Sequence, residues 1–235
     1  VQPVSKQVAG GALKIDARSG FAYPALALAV DELVVMTPES GISIAAVANS
    51  HHCGAAGYHV EALARKGLIG LMFANTPKAI APWGGGQGVF GTNPIAFSVP
   101  RVNDEPLVLD LSLSKVARGK IMIAEHEGQP RPEDWALDGE GHPTTDPKAA
   151  MAGTMLPMGG AKGAALVLMV EILSAALTSA HFGFEASSFF SSEGDPPGVG
   201  QLLIAIAPNP ISGNTFNNRL EILISAILEQ KNTRL

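Results

Sequence analysis

Apolar positions along the chain fall into short runs suited to buried strands and longer stretches with helical spacing, separated by clusters of Gly, Pro, Asn and Asp. Residues 12–15 read as a short strand closed by the turn Asp16-Ala17-Arg18-Ser19-Gly20. Pro24 then opens a helix whose apolar run, 25–36, is interrupted at Asp31-Glu32 and ended by Pro38. Residues 42–47 are β-branched and apolar, 58–66 carry helical spacing, and 68–73 are again continuously apolar; this β-α-β order suggests a parallel strand pair. Residues 95–99 and 107–111 read as two strands joined through Asn103-Asp104-Glu105, which brings in antiparallel pairing. Ser114 is placed to cap a helix over 115–125, residues 128–147 form an exposed excursion rich in Pro, Gly and acids, and Gly159 to Gly163 lead into a long apolar helix over 164–177. A loop over 187–200, a strand over 202–207, a sharp turn at Pro208-Asn209-Pro210 and an amphipathic helix over 216–230 complete the chain.

At 235 residues the chain can bury a sizeable core in one large domain or two small lobes. With 46% hydrophobic and only 16% charged residues, it is apolar enough that part of its surface is expected to be covered by a partner subunit. A formal net charge of -5 and the lack of any Lys/Arg cluster argue against a nucleic-acid partner. Residues 1–10 lack a signal-peptide pattern, and Glu171 interrupts the longest apolar run, so no membrane span is expected. Cys53 is the single cysteine; no internal disulfide is possible, and a reducing cytoplasmic location fits.

Candidate chemistry concentrates in Asn49-Ser50-His51-His52-Cys53-Gly54-Ala55-Ala56-Gly57-Tyr58-His59, where three of the six histidines lie at an expected strand-to-helix joint. A histidine there can exchange a proton near neutral pH; two ordinary loop histidines are the competing reading. Adjacent histidines point apart, and His52 and His59 lack the i, i+4 spacing of helical zinc sites, so no metal site is expected. Cys53 reads as a small packing residue. Residues 75–94 form a long loop of turn chemistry, of the kind that binds something or moves. Within it, Gly86-Gln87-Gly88-Val89-Phe90-Gly91 spells a dinucleotide fingerprint, but Thr92-Asn93-Pro94 follows where a helix would have to leave it. Gly159 to Gly163, with Lys162 at the start of a helix, has the makings of an anion site or of a plain glycine turn. Asp110-Leu111-Ser112 ends a strand with groups suited to ribose or phosphate, or to a simple turn.

Together the histidine stretch, Ala81-Pro82-Trp83-Gly84-Gly85, Gly91-Thr92-Asn93-Pro94-Ile95-Ala96-Phe97, Trp135-Ala136-Leu137-Asp138, Pro143-Thr144-Thr145-Asp146-Pro147 and Lys162-Gly163 resemble the malate/L-lactate dehydrogenase family. That family lies outside the Rossmann dehydrogenases and includes ureidoglycolate, sulfolactate and diketogulonate enzymes and Δ1-piperideine-2-carboxylate reductases. The resemblance implies an α/β (α+β) fold with a mainly antiparallel or mixed sheet flanked by helices, a family-specific NAD(P)-binding fold rather than a Rossmann one, working as a homodimer. It implies a single unit over 1–235, truncated at both ends, with a cofactor lobe over about 75–175 and the remainder in 1–74 and 176–235. By motif match His52 falls on the proton-exchanging histidine, and Thr76, Asp110, Leu111, Ser112, Ala161, Lys162 and Gly163 fall on positions resembling cofactor contacts.

The implied activity is hydride transfer between NAD or NADP and a small carboxylate substrate, a 2-oxo or 2-hydroxy acid. The alternative substrate is a cyclic imine, Δ1-piperideine-2-carboxylate or Δ1-pyrroline-2-carboxylate; a non-catalytic remnant is the reading from a different class. Arg118 and Lys120 are candidates for a cofactor 2'-phosphate, with a solvated helix face as the competing role. The family's N-terminal Ser-His-Gly motif with its following arginine, and its C-terminal Pro-Gly-basic segment, have no counterpart in these residues. Weak or absent turnover is therefore expected if these are the boundaries of the chain, whereas the enzyme reading stands unaltered if the residues are a fragment of a longer gene product.

Overall fold

The computed structural model describes residues 1–130, 132–191 and 194–235. Its centre is a seven-stranded mixed sheet built from β1 (Val4–Ala9), β2 (Ala12–Asp16), β3 (Ile42–Ser50), β4 (Ile69–Ala74), β5 (Ile95–Val99), β6 (Leu107–Leu111) and β9 (Val199–Ile206). The spatial order is β1-β2-β3-β9-β4-β5-β6, and every neighbouring pair is antiparallel except β2 with β3. A mainly antiparallel or mixed sheet was expected, and this is what forms.

The parallel pair lies one unit earlier than the local pattern suggests. It joins β2 to β3 across α1 (Ala22–Ser40), whereas β3 and β4 run in the same direction with β9 inserted between them. β9 is buried along most of its length, and a strand apolar on both faces is stabilised most where both faces are covered. On one face, Leu13, Ile15, Ala45, Val47, Met72, Leu203 and Ala205 pack beneath α1 and α2 (Ala56–Ala64). On the other, Phe73 and Leu202 pack with Ile80, Leu113, Val167 and Val170. Residues two apart thus share a face, as the strand period requires.

Helix α1 buries Ala22, Ala25, Leu26, Ala29, Val30, Leu33 and Thr37, a stripe spaced by three and four. It runs two residues beyond Pro38, because the hydrogen bond that proline lacks falls in the last turn; Gly41, at φ 75°, ends it. Helix α3 (Arg118–Glu127) begins later than expected. Ala117 stands at its N-cap, and Ser114 instead donates to the Val116 carbonyl at 2.8 Å, a local turn that competes with capping. The 128–147 excursion carries a short strand, β7 (Ala136–Leu137), paired with β8 (Thr154–Met155); α4 (Pro147–Ala152) lies between them. Helix α5 (Ala161–Glu171) starts earlier than 164 and continues through a π-helical segment, Ile172–Ala176. The expected turn at Pro208 is a short helix, α6 (Pro208–Ser212), and α7 (Phe216–Leu228) follows. No helix of the described residues is long and apolar enough to cross a membrane.

Candidate active site

Pairing in the middle of the sheet brings three chain segments to one edge. Ser50, at the end of β3, pairs with Val199 at the start of β9, and Gln201 pairs with Ala74 at the end of β4. The residues that leave β3 and β4, and those that enter β9, therefore meet. His51 and His52 leave β3, Asn75 and Thr76 leave β4, and Phe189 lies on the approach to β9.

The histidine stretch is shaped by its own backbone. Asn49 has φ 52° and its amide donates to Asp16 Oδ1 at 3.0 Å, which anchors the turn out of the strand. The His52 N–H donates to His51 Nδ1 at 2.7 Å, and the Gly54 N–H donates to His52 Nδ1 at 2.8 Å. The neutral His52 ring therefore carries its proton on Nε2, which has no partner among the described residues. Gly54 sits at φ 68°, and a Cβ there would fall 1.7 Å from the Tyr23 hydroxyl, so only glycine fits. Phe189 stacks on His51, with ring centroids 5.1 Å apart, and meets His52 edge-on at 5.2 Å. Burial and the neighbouring His52 push the His51 imidazole below its usual range.

The rest of the stretch is structural. His59 is buried with Nε2 2.8 Å from the Cys53 carbonyl, and burial pushes its pKa down. Burial pushes the Cys53 thiol up to about 12, so it is no nucleophile near neutral pH and packs in the core as expected. Among the described residues no three His, Cys, Asp or Glu side chains are grouped to hold a metal ion.

Beside His52 lies a cleft of about 690 Å³, within the roughly 300–1,000 Å³ typical of small-molecule sites. Thr76, Lys78 and Thr92 line one part of it, Ser112, Ser114 and Arg118 another, and Phe189 with Phe190 a third. Thr76 Oγ1 accepts from the Thr92 N–H at 2.9 Å, which ties the two ends of the 75–94 loop together. Neither Lys78 nor Arg118 has a carboxylate partner among the described residues; Arg118 makes only a 3.4 Å contact to the Met151 carbonyl. These two cations, unpaired among the described residues, share the cleft with several hydroxyls and one carboxylate, Asp138, a set that suits a ligand with separated anionic groups.

Of the residues singled out in the sequence, His52, Thr76, Ser112 and Arg118 line this cleft, and Lys120 does not. Asp110 stands just before Ser112 on β6, and its Oδ2 accepts from the Gly57 N–H at 2.7 Å, in the first turn of α2. Leu111 is 39% exposed between them. Ala161, Lys162 and Gly163 open α5 and do not line the cleft; a Cβ on Gly163 would lie 1.6 Å from the Met158 carbonyl oxygen. Gly86 and Gly88 of the fingerprint-like run do line it, and β5 rather than a helix follows Gly91. Lys78 and Phe189 were not singled out from sequence. The only available signals were a lysine within a loop of turn chemistry and two adjacent phenylalanines in an otherwise polar loop.

A family model described as malate/L-lactate dehydrogenase matches residues 1–234. The chain is 54% identical over 229 residues to a protein named (2R)-3-sulfolactate dehydrogenase (NADP(+)) from Chromohalobacter salexigens, covering 97% of this chain and 68% of that one. It is 43% identical over 227 residues to a Delta(1)-pyrroline-2-carboxylate/Delta(1)-piperideine-2-carboxylate reductase from Pseudomonas putida, covering 94% of this chain and 65% of the relative. The crystal structure of delta1-piperideine-2-carboxylate reductase from Pseudomonas syringae pvar. tomato superposes with a TM-score of 0.91 at 40% identity, over 98% of this chain and 70% of that one. The chain thus spans about two thirds of the length of these relatives.

Proposed function

Since the chain belongs to the malate/L-lactate dehydrogenase family, we propose that it serves an NAD(P)-dependent oxidoreductase, with NADP preferred, acting on a small 2-oxo or 2-hydroxy acid of the sulfolactate type. The observation that carries this reading is the cleft itself, where His52 stands in one lining with Lys78 and Arg118, neither of which has a carboxylate partner among the described residues. The NADP preference draws on the name of the 54% identical relative and on Arg118, whose planar guanidinium suits a phosphate. The donor set fits a nicotinamide nucleotide, since hydroxyls at Thr76 and Ser112 suit ribose and the two cations suit phosphates and an acid substrate.

When bound, the nicotinamide supplies or takes up the hydride. His52 does the proton work. Its Nε2–H has no partner among the described residues and donates a hydrogen bond to the substrate oxygen as hydride reaches the carbon; handing a proton over fully takes the imidazolium form, which returns to the neutral ring, and in that form Nδ1 no longer accepts from the Gly54 N–H. Gly54 holds the neutral ring in its Nε2–H tautomer, and Phe189 packs edge-on against one side of it while the ring stays exposed to the cleft.

Addition of NADPH at a hundred times its dissociation constant stabilises a binding protein by about 2.7 kcal/mol, or roughly 5–10 °C in Tm for this size. No shift with either NADPH or NADH refutes the reading. Following loss of reduced-nucleotide absorbance with sulfopyruvate, pyruvate, oxaloacetate and the two cyclic imines identifies the substrate. His52→Ala is expected to cost about 10²–10⁴ in turnover and to leave nucleotide binding intact. A second reading, a cyclic-imine reductase, is favoured by the apolar face that Phe189 presents beside His52, which suits a ring better than a sulfonate. Turnover of either imine in preference to the oxo acids decides for it.

A further inference from the structure

We propose that Glu171 is a positioning residue that fixes the walls of the cleft from behind and thereby sets its affinity for a nicotinamide nucleotide. The affinity part rests on the functional reading above. Glu171 closes α5 and is only 3% exposed, in the middle of an otherwise apolar run. Burying a carboxylate is costly unless hydrogen bonds replace its water. Here three donors converge on it. Asn93 Nδ2 donates to Oε2 at 2.7 Å, the Gly183 N–H donates to Oε1 at 2.6 Å, and Asn75 Nδ2 lies 3.4 Å from Oε1. Among the described residues no cation pairs with it.

Each donor belongs to a segment that reaches the cleft. Asn75 precedes Thr76, Pro77 and Lys78; Asn93 follows Thr92; Gly183 begins the stretch that arrives at Phe189. These segments are tied to one another as well, the Lys78 N–H to the Gly183 carbonyl at 2.8 Å and the Thr92 N–H to Thr76 Oγ1 at 2.9 Å. The junction is tight, since a Cβ on Gly183 would stand 2.9 Å from both the Gly91 nitrogen and the Thr76 carbonyl oxygen. Glu171 itself does not line the cleft. It acts only through the three segments it holds.

A carboxylate is required there, not merely a side chain of that volume. Glutamine would turn one acceptor oxygen into an NH2 group facing either the Asn93 amide or the Gly183 N–H. Asn93 cannot answer by flipping, because its Nδ2 also donates to the Val167 carbonyl at 3.1 Å and a flip would set oxygen against oxygen.

The test is Glu171→Gln beside Ile224→Ala, a cavity variant at a buried α7 position that does not line the cleft and controls for general loss of stability. Amide hydrogen exchange at Lys78, Thr92 and Gly183 is expected to accelerate at least tenfold in Glu171→Gln, with Val60 and Leu203 unchanged and far-UV circular dichroism preserved. The dissociation constant for NADPH is expected to rise at least fivefold in Glu171→Gln and to stay at the wild-type value in Ile224→Ala. Unaltered exchange at the three amides, or exchange accelerated equally everywhere, overturns the clamp; accelerated exchange with unchanged NADPH binding overturns its link to affinity. If the wild-type protein binds neither nucleotide, the functional reading falls, the affinity claim falls with it, and the exchange pattern alone decides the clamp. Should Glu171→Gln fail to fold, Glu171→Asp, which keeps the charge but withdraws it by one methylene, is put through the same exchange measurement.

Discussion

Replacing Asp110 separates two roles that the residue's position allows. Its carboxylate accepts from the buried Gly57 N–H at 2.7 Å, one of the first-turn donors of α2 that no helical carbonyl can satisfy. A hydrogen bond to a charged group contributes about 1.5–3 kcal/mol, and the exposure of Asp110 calls for a discount towards the lower end. In Asp110→Ala the Gly57 N–H loses its acceptor at a buried site, and a loss of about 1.5 kcal/mol is expected, or roughly 3–6 °C in Tm. Asp110→Asn keeps an acceptor oxygen and forfeits only the attraction of a full charge to the helix N-terminus, about 0.3–1 kcal/mol. Thermal and urea melts of the two variants therefore order as wild type, Asn, Ala. An Ala variant that melts within a degree of the wild type refutes the structural role, since it means water has replaced the carboxylate at Gly57. Nucleotide affinity read on the same proteins answers the other question: a contact from Asp110 to a cofactor ribose weakens binding in the Asn variant, where the helix is nearly intact.

Gly163→Ala is expected to destabilise by about 1–3 kcal/mol by overpacking, because its Cβ would meet the Met158 carbonyl oxygen at 1.6 Å. Gly119→Ala, in the first turn of α3 with nothing within 4 Å of the new Cβ, is expected to stabilise by about 0.4–1 kcal/mol; chemical denaturation of the pair checks both. Cys53, 7% exposed and with its thiol pushed up to about 12, should react with an aromatic disulfide at pH 8 only after unfolding, and rapid native labelling would contradict its burial. Burial raises the Glu171 pKa, so the part of its stability linked to proton uptake is fully present below the ordinary carboxylate range and is lost as pH rises through the raised value, while the hydrogen bonds from Asn93, Gly183 and Asn75 still hold the ionised form. The Tm of the wild type relative to Glu171→Gln should accordingly fall from pH 4.5 towards neutrality, and a difference that grows with pH would reverse the sign.

Most of the elements that the chain announces locally have a buried face: β5 matches the expected strand residue for residue, and α1 follows its apolar stripe. β6 also matches, on its Leu-Val-Leu run, although none of its residues is fully buried. β1 was not expected because it has neither such a run nor a buried face. Val4–Ala9 is exposed along nearly all its length and is held by backbone pairing with β2 at the sheet edge, with Lys6 on it, a device that discourages further strand addition. The start of α3 was misplaced for a different reason, since Ser114 has two uses for its hydroxyl and a spacing argument cannot choose between them.

The site divides along the same line. His52 was legible because three histidines and two glycines crowd one strand-to-helix joint, a local signal. Phe189 was not, because its partner is 138 positions away at His51 and they meet only through the pairing of Ser50 with Val199. Nothing in the residues 199–206 says that this strand lies between β3 and β4, yet that insertion decides which loops share an edge. Were β3 and β4 adjacent, as their β-α-β order suggests, the segment carrying Phe189 would enter the sheet elsewhere and its ring would not meet those of His51 and His52. The buried glutamate shows the same dependence. In sequence Glu171 is an interruption in an apolar helix; in the sheet as formed it stands behind the junction of the segments leaving β4, entering β5 and approaching β9, where three donors converge on its carboxylate away from water.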